Sequence, residues 1–345
     1  MSALAVPTGD EKTVRSARVY LGVLLTTSIG LLLPAIIWTY MAAGTGDFTQ
    51  GGILEGKLEG PAVGLLLGLF VFGIGKAAVM PVHRWLPAAM VAPTPVSALL
   101  HAVAVVKAGV FTVTKVIVYI FGVDYLFSVP SSCWLLYAAA FTVVTASLVA
   151  LRQTNIKRLL AYSTIAQLSY VVMAAAILKP LAEIGAAVHM VAHAFGKITL
   201  FFAAGAIYVA SKKTDITEMY GIGRRMPWTM AAIVLGGLSL IGVPPTAGFI
   251  SKWYLVLATL EQDLWPVAVL VVIGSLLALL YVWKLVEAAY FEPVPEGAAT
   301  VREAPWSMLL PIWLLVGANI YFGIHTELTV GVATQAVTEL MGIAQ

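Results

Sequence analysis

Six lysines lie inside the hydrophobic segments of this chain, where a charged side chain is costly. They are Lys76, Lys107, Lys115, Lys197, Lys252 and Lys284. A lysine at the centre of a bilayer helix costs roughly 2.5–3.5 kcal/mol on insertion scales, so these side chains are expected to face a protein interior or a hydrated path. Lysines on several helices are typical of a relay for charge or protons. Glu287 is the only plainly internal carboxylate, and this shortage indicates that other carboxylates come from outside the chain.

His189, His193 and Lys197 form the clearest column of titratable groups. Their spacing of four residues places them on one face of a helix, over about 12 Å of its length. Histidine titrates near neutral pH, so such a column can pass protons through intervening water. Two alternatives remain open. One is a static polar ladder between helices, and the other is a metal site, which lacks a third internal ligand and would be repelled by the lysine.

Glycines and prolines interrupt two of the hydrophobic segments next to a lysine. The interrupting residues are Gly75 and Pro81 around Lys76, and Pro244, Pro245 and Gly248 before Lys252. Proline removes a helix hydrogen bond, and irregular backbone at membrane depth is tolerated only where protein or water covers it. Broken helices of this kind form the ion sites of many transporters. A pair of simple proline kinks is the alternative.

His101 and Lys107 lie on the segment that follows the first interruption. Six residues correspond to a rotation of about 240°, so an ideal helix places the two side chains on different faces. Either only one of them lines the path, or a local bulge turns both inward.

Lys284 and Glu287 are three residues apart near one end of the eighth hydrophobic segment. This spacing predicts an ion pair at the membrane surface rather than a position in the relay.

The composition identifies the elements that must position these side chains. Hydrophobic residues make up 60% of the 345 residues, charged residues 11%, and the mean hydropathy is +0.94. No soluble fold buries that much apolar surface, so an all-α polytopic membrane protein is predicted. Runs of about 20 or more apolar residues predict nine spans, two of them broken. They are 19–43, 61–84, 93–121, 132–151, 155–178, 181–210, 227–259, 264–290 and 305–324.

Several kinds of site are not predicted. The single cysteine, Cys133, excludes an internal disulfide and a multi-cysteine metal or iron–sulfur centre. The sequence contains no phosphate-cradling loop, no dinucleotide fingerprint and no nucleophile–base pair. The net charge of +3 gives no sign of nucleic-acid binding, because the surface basic residues lie in short loops. No cofactor, metal or nucleic acid is therefore expected, and lipid is the expected surrounding.

The loops predict an orientation. Twelve basic residues lie in loops on the side of the N-terminus, and two, Lys57 and Lys179, lie on the other side. The positive-inside rule then places the N-terminus in the cytoplasm and the C-terminus outside, in the cytoplasmic (inner) membrane of a bacterium or archaeon. Residues 325–345 are weakly apolar, which is compatible with a position at the membrane interface.

Several long motifs together resemble one family. They are found at 75–81, 85–87 (Trp-Leu-Pro), 92–101 (Ala-Pro-Thr-Pro-Val-Ser-Ala-Leu-Leu-His), 153–164 (Gln-Thr-Asn-Ile-Lys-Arg-Leu-Leu-Ala-Tyr-Ser-Thr), 193–197 (His-Ala-Phe-Gly-Lys) and 242–254. These motifs are similar to the antiporter-like subunits shared by respiratory complex I, membrane-bound hydrogenases and Mrp-type cation/proton antiporters. The resemblance extends over about 17–325. Within the family, 106–111 and 250–254 are most similar to the D-type chain of Mrp antiporters and its hydrogenase relatives.

The resemblance implies a fold with two inverted five-helix repeats and a hydrophilic axis at mid-membrane. By matching motif it assigns the lysine of the first broken helix to Lys76 and that of the second to Lys252. His101 and Lys107 correspond to positions on the helix after the first break. The central relay corresponds to His193 and Lys197, with His189 one turn before them.

Full family members carry about five further helices before the region that this sequence matches. The chain is therefore expected to be an N-terminally short member, divided into a cytoplasmic segment 1–18, a partial first repeat 19–121, a complete second repeat 129–291, and a final helix with tail 292–345. The resemblance also implies that a glutamate on a missing helix pairs with Lys76. A separate small membrane subunit is expected to supply these helices and that glutamate, and a degenerate subunit is the rival explanation.

The predicted function is proton translocation as a subunit of a multi-subunit complex, with Mrp-type Na⁺/H⁺ antiport as the leading form. A proton-pumping subunit of a complex I-like or hydrogenase-type redox complex is one alternative, in which the chain belongs to a translocating enzyme without catalytic residues of its own. A non-conducting scaffold subunit, which would use the lysines only for static pairing, is another alternative.

Overall fold

A computed structural model describes residues 11–294 and 301–341. Their secondary structure is helical, apart from one isolated bridge between Asn155 and Asp215. The α-helices are α1 (Glu11–Thr27), α2 (Leu33–Ala43), α3 (Pro61–Gly73), α4 (Trp85–Ala88), α5 (Thr94–Ala98), α6 (Val105–Lys115), α7 (Val123–Ser128), α8 (Trp134–Leu151), α9 (Ile156–Ile177), α10 (Pro180–Ser211), α11 (Pro227–Ile241), α12 (Ala247–Leu260), α13 (Trp265–Tyr290), α14 (Trp306–Ile324) and α15 (Glu327–Met341).

The predicted all-α membrane fold is confirmed in the described part of the chain. Seven helical segments there are long and apolar enough to cross a membrane. Three shorter apolar helices, α3, α11 and α12, belong to the two interrupted spans. The seven long segments and these three helices correspond to the nine predicted spans. α3 forms the first part of the second span, and α11 and α12 form the seventh.

Three π-helical segments connect α-helices within the spans. Ser28–Leu32 joins α1 to α2, Leu99–Val103 joins α5 to α6, and Val116–Phe121 extends α6. A π-helical turn inserts an extra residue and so changes which side chains share a face, and such turns are frequent at functional sites.

The first predicted interruption lies between α3 and α4. α3 ends at Gly73, and a single 3₁₀ turn, Gly75–Ala77, carries Lys76 within the predicted second span. Gly109 of α6 packs directly against the backbone of this turn, since a Cβ there would overlap backbone atoms of Lys76 and Ala77. The close approach fixes the turn against α6.

The second interruption separates α11 from α12. α11 ends at Ile241, and Gly242 adopts a positive φ of 87°, which glycine tolerates. α12 begins at Ala247, and a Cβ on Gly248 would overlap the backbone carbonyl of Ser239. The glycine therefore lets the start of α12 pack against the end of α11.

α10 is the longest helix in the described residues and packs against its neighbours α9, α11, α12, α14 and α15. Almost every residue of α9 is buried, as expected for a helix enclosed on all sides. Helices α9 and α10 thus form the interior of the bundle, and this interior contains the predicted titratable column.

The ends of the chain differ in part from the predicted divisions. Residues 1–10 of the predicted segment 1–18 lie outside the described residues, and helix α1 has begun by Glu11. Residues 295–300 and 342–345, within the predicted segment 292–345, also lie outside. The tail forms helix α15, whose Ala333 and Val337 pack with Ile184 and Val188 near the start of α10. The division into repeats stays a prediction.

Candidate functional site

Lys197 is completely buried on α10 (0% exposed). Its Nζ donates hydrogen bonds to the carbonyl oxygen of Leu160, at 3.1 Å, and to the hydroxyl of Ser163. Both acceptors belong to α9 and both are neutral. The amine is thus held between two helices by polar groups that do not carry a compensating charge.

His193 and His189 continue from Lys197 along the same face of α10, as the spacing predicts. The two imidazole centroids are 6.1 Å apart, and both side chains are buried. Nδ1 of His189 shares a 2.8 Å hydrogen bond with Oγ of Ser251 on α12, in which either group donates according to the histidine tautomer. Neither ring nitrogen of His193 has a protein hydrogen-bond partner in the described residues.

Lys252 lies at the second interruption, on α12. Its Nζ donates to the carbonyl oxygens of Leu240 (2.8 Å) and Ile241 (3.0 Å), and to Oγ of Ser275 (2.9 Å). The two carbonyls belong to the last turn of α11, where the break leaves them without intrahelical partners. A cation at a helix C-terminus is also favoured by the helix dipole. The break therefore creates the lysine's binding site.

Tyr170 connects Lys252 with the histidine column. The Nζ of Lys252 lies 5.0 Å from the centroid of the tyrosine ring, and that ring lies 5.7 Å from the ring of His189. Groups on α9, α10 and α12 thus form a buried series from Lys197 through His193 and His189 to Lys252. We call these four residues the buried line.

His101 and Lys107 both turn inward. The π-helical segment Leu99–Val103 contains His101 and supplies the bulge that was one of the two predicted alternatives. His101 is fully buried, with its ring 5.1 Å from that of Phe201. The half-buried Lys107 donates from Nζ to the carbonyl oxygen of Met190 on α10.

His193 is the point at which these groups converge. It interacts electrostatically with Lys107, Lys197, His189 and His101. Addition or loss of a proton at any one of these neighbours therefore changes the potential at His193. In this arrangement, a change of charge at one end alters the electrostatic potential along the buried line.

The sequence matches the family described as NADH:quinone oxidoreductase/Mrp antiporter, transmembrane, over residues 2–278. The chain belongs to this family. The predicted resemblance is confirmed, and the residues of the buried line lie within the matched region.

Two relatives in this family are redox-complex subunits by name. NADH-quinone oxidoreductase subunit N of Desulforudis audaxviator is 36% identical over 305 residues, covering 84% of this chain and 60% of the relative. The F420H2 dehydrogenase subunit N of Methanosarcina mazei is 31% identical over 333 residues, covering 92% and 66%. The chain thus spans under two thirds of the length of these two relatives.

Solved structures of antiporter-like subunits share the fold. The Mrp complex of a Dietzia species contains a chain that matches 96% of this chain and 69% of its own length, with a TM-score of 0.85 at 22% identity. A chain of the membrane-bound sulfane sulfur reductase, an archaeal respiratory membrane complex, matches 98% and 68%, with a TM-score of 0.82 at 27% identity. Both are subunits of multi-subunit membrane complexes, as the family resemblance predicts.

Lys76 is the predicted relay residue that neither belongs to the buried line nor is among the groups that act on His193. Its side chain is exposed at the first interruption and makes no hydrogen bond or ion pair with residues 11–294 or 301–341. An ammonium group at membrane depth requires water or a counter-charge.

Two expectations about carboxylates and lysines need correction. Glu287 is exposed near the end of α13, and the Nζ of Lys284 instead donates to the carbonyl oxygens of Leu151 (3.0 Å) and Gln153 (2.8 Å). These carbonyls lie at the end of α8, where a lysine satisfies orphan acceptors. The buried acid within the described residues is Glu183, not Glu287.

Several residues of the site were not predicted from sequence. They are Tyr170, Ser251 and Ser275, which bind or contact the buried line, and Glu183. Ser251 precedes Lys252 in the 242–254 motif, so that motif was the one available signal for it. The other three lack a local signal, because their roles follow from contacts between helices distant in sequence.

Proposed function

We propose that this chain moves protons across the membrane along the buried line, with His101 and Lys107 as side entries to His193. The observation that carries the proposal is the buried series of amines and imidazoles on α10 and α12, whose two amines are bound by neutral acceptors. Amines and imidazoles bind and release protons, and as cations they repel Na⁺. Protons are therefore the ion that this line suits best.

The proposed mechanism is electrostatic. An ammonium that is buried among neutral carbonyls and hydroxyls is costlier than the neutral amine, so the protonated form depends on the charges around it. A proton that reaches Lys197 raises the potential at His193 and drives the next proton toward Lys252. Water that bridges the gaps would satisfy the unpartnered ring nitrogens of His193 and His101, since buried polar groups are normally satisfied.

We further propose that the chain works in the cytoplasmic membrane of a bacterium or archaeon, within a complex of several membrane subunits. The one-sided distribution of basic loops supports a cytoplasmic N-terminus. Lys76 is exposed and has no ion pair among the described residues, which supports a partner that contributes a carboxylate near it. The sequence-based hypothesis assigns that carboxylate to a small membrane subunit.

In the assembled complex, a hydrophobic carbodiimide is expected to cross-link Lys76 to a carboxylate outside residues 11–294 and 301–341. The reagent joins an amine to a carboxyl group only when the two are in contact, and mass spectrometry identifies both peptides. Lys76→Arg, which keeps the charge but lacks the reactive amine, should lose the product. Cross-links from Lys76 solely to the described residues would contradict the expectation.

The two forms of this function, redox-driven proton pumping and Na⁺/H⁺ antiport, differ in what drives the protons across the membrane. The relatives at 31–36% identity are named as subunits of an NADH-quinone oxidoreductase and an F420H2 dehydrogenase, which favours a redox-driven complex. The Mrp likeness, at 22% identity, concerns the fold alone. Na⁺/H⁺ antiport, the leading form in the sequence-based prediction, is retained as the second arm of the test.

The test is proton flux in sealed vesicles that contain the purified, assembled complex and a pH-sensitive dye. Flux that begins on addition of an electron donor and acceptor is expected for the redox form, and flux that follows a Na⁺ gradient indicates antiport. Intact complex that moves no protons under either condition would contradict the proposal and favour the scaffold hypothesis.

A further inference from the structure

Glu183 is the only acidic residue buried within the part of the chain that the structure describes, and the relay does not yet use it. Its side chain is 5% exposed, and its Oε1 atom is buried without a hydrogen-bond partner among those residues. An isolated buried carboxylate is far costlier than a neutral carboxylic acid. We therefore expect the group to hold a proton at rest.

The position of Glu183 on α10 relates it to the relay. Met190 follows by seven residues and Lys197 by fourteen, so the three lie within about 40° of one another around the helix. Met190 is the residue whose carbonyl accepts the hydrogen bond of Lys107. Glu183 is thus on the same face as the Lys107 contact, about 10 Å further along the helix axis.

Glu183 also lies near one end of the membrane span. α10 begins at Pro180, on the side whose loops contain only Lys57 and Lys179 as basic residues. The carboxyl is three residues into the helix, or about 5 Å from its end. The other faces of this turn are occupied, because Gly185 packs on α12 and Ile184 packs with α15.

We propose that Glu183 is the proton-binding group between the relay and water on the sparsely basic side of the membrane. The inference rests on the proposed function. In the transfer step the resting Glu183 acid first releases its proton to the water outside. An N–H bond of the Lys107 ammonium then breaks and an O–H bond of the Glu183 carboxylate forms, through intervening water. Ammonium and carboxylate become amine and acid, so charge is conserved and the resting acid is restored.

The test compares Glu183→Gln and Glu183→Asp in the assembled complex in vesicles. Glutamine keeps the shape of the protonated acid but cannot exchange its proton, so proton flux is expected to fall by about 10²-fold, the lower end of the contribution of a positioned proton-transfer group. Aspartate keeps the carboxyl and should retain measurable flux. Glu261→Gln changes an exposed acid at the end of α12 on the same side and should leave flux unchanged.

Lys252→Met separates the failure of this inference from the failure of the proposed function. Wild-type flux in Glu183→Gln together with lost flux in Lys252→Met would overturn the role of Glu183 alone. Wild-type flux in both variants would overturn the proton relay itself.

Infrared spectroscopy of the resting wild-type complex gives a second measurement that does not depend on flux. A carboxylic-acid carbonyl band that shifts in D₂O, and that shifts again in Glu183→Asp, is expected. Such a band unaffected by Glu183→Asp would show that Glu183 is ionised at rest and overturn the proposal.

Discussion

Replacement of Lys252 by methionine is expected to lower proton flux through the assembled complex by about 10²-fold or more, as for loss of a positioned proton-transfer group. Methionine has a similar length but binds no proton, so the buried line ends at His189. The fold should survive, because methionine removes an amine whose charged form is costly to bury among neutral groups. The carbonyl of Leu240 keeps a second donor, Nε2 of Gln167, at 3.1 Å.

Lys115→Met is the matched control for this change. Lys115 also belongs to a membrane span, but its Nζ lies 4.4 Å from the ring centroid of Phe48, near the end of that span and away from the buried line. Its replacement should leave proton flux within the error of wild type. Equal flux in Lys252→Met and Lys115→Met would support the scaffold hypothesis, in which the lysines serve only for static pairing.

Gly248→Ala is expected to destabilise the second interruption and reduce proton flux together with it. A Cβ at this position overlaps the backbone carbonyl of Ser239, which cannot rotate away as a side chain can. Overpacking of this kind costs about 1–3 kcal/mol. Relief of the overlap requires α12 to move from α11, which separates Lys252 from the carbonyls that bind it. Thermal unfolding of the purified complex and proton flux in vesicles measure the two effects.

Gly317→Ala provides the control for the glycine change. Gly317 lies in α14, and a Cβ there meets no atom within 4 Å. Alanine in an open helical position should stabilise the helix by about 0.5–1 kcal/mol relative to glycine. A Gly248→Ala complex as stable and active as Gly317→Ala would contradict the close packing at the second interruption.

The fold is the part of this molecule that sequence patterns predicted best. Apolar runs of about 20 residues define a membrane helix almost alone, because every backbone polar group in lipid must be paired internally. The interruptions were also readable, since Pro81, Pro244 and Pro245 cannot continue a helix. The column from His189 to Lys197 followed from helical spacing alone.

The partners of the titratable groups could not be predicted in the same way. The carbonyls that bind Lys284 lie more than 130 positions away in the chain, at the end of α8. His101 and Lys107 face inward together only because of a π-helical turn, and no residue type in that segment predicts such a turn. These contacts depend on how helices pack.

The burial of Glu183 and the exposure of Glu287 could not be predicted from sequence either. From sequence, Glu183 belongs to the first turn after Pro180 and resembles a surface residue, whereas Glu287 lies within an apolar run. In the folded bundle the side chain of Glu183 is buried, whereas that of Glu287 is exposed on α13. Burial near the ends of spans is therefore a property of the bundle rather than of the single helix.

Proton flux through the Lys197→Met complex in sealed vesicles tests the central claim most directly. Lys197 is fully buried, begins the buried line, and binds only neutral groups on α9. An assembled Lys197→Met complex should lose proton flux by about 10²-fold or more, while Lys115→Met keeps the wild-type rate. Wild-type flux in an intact Lys197→Met complex would show that protons do not travel along this line.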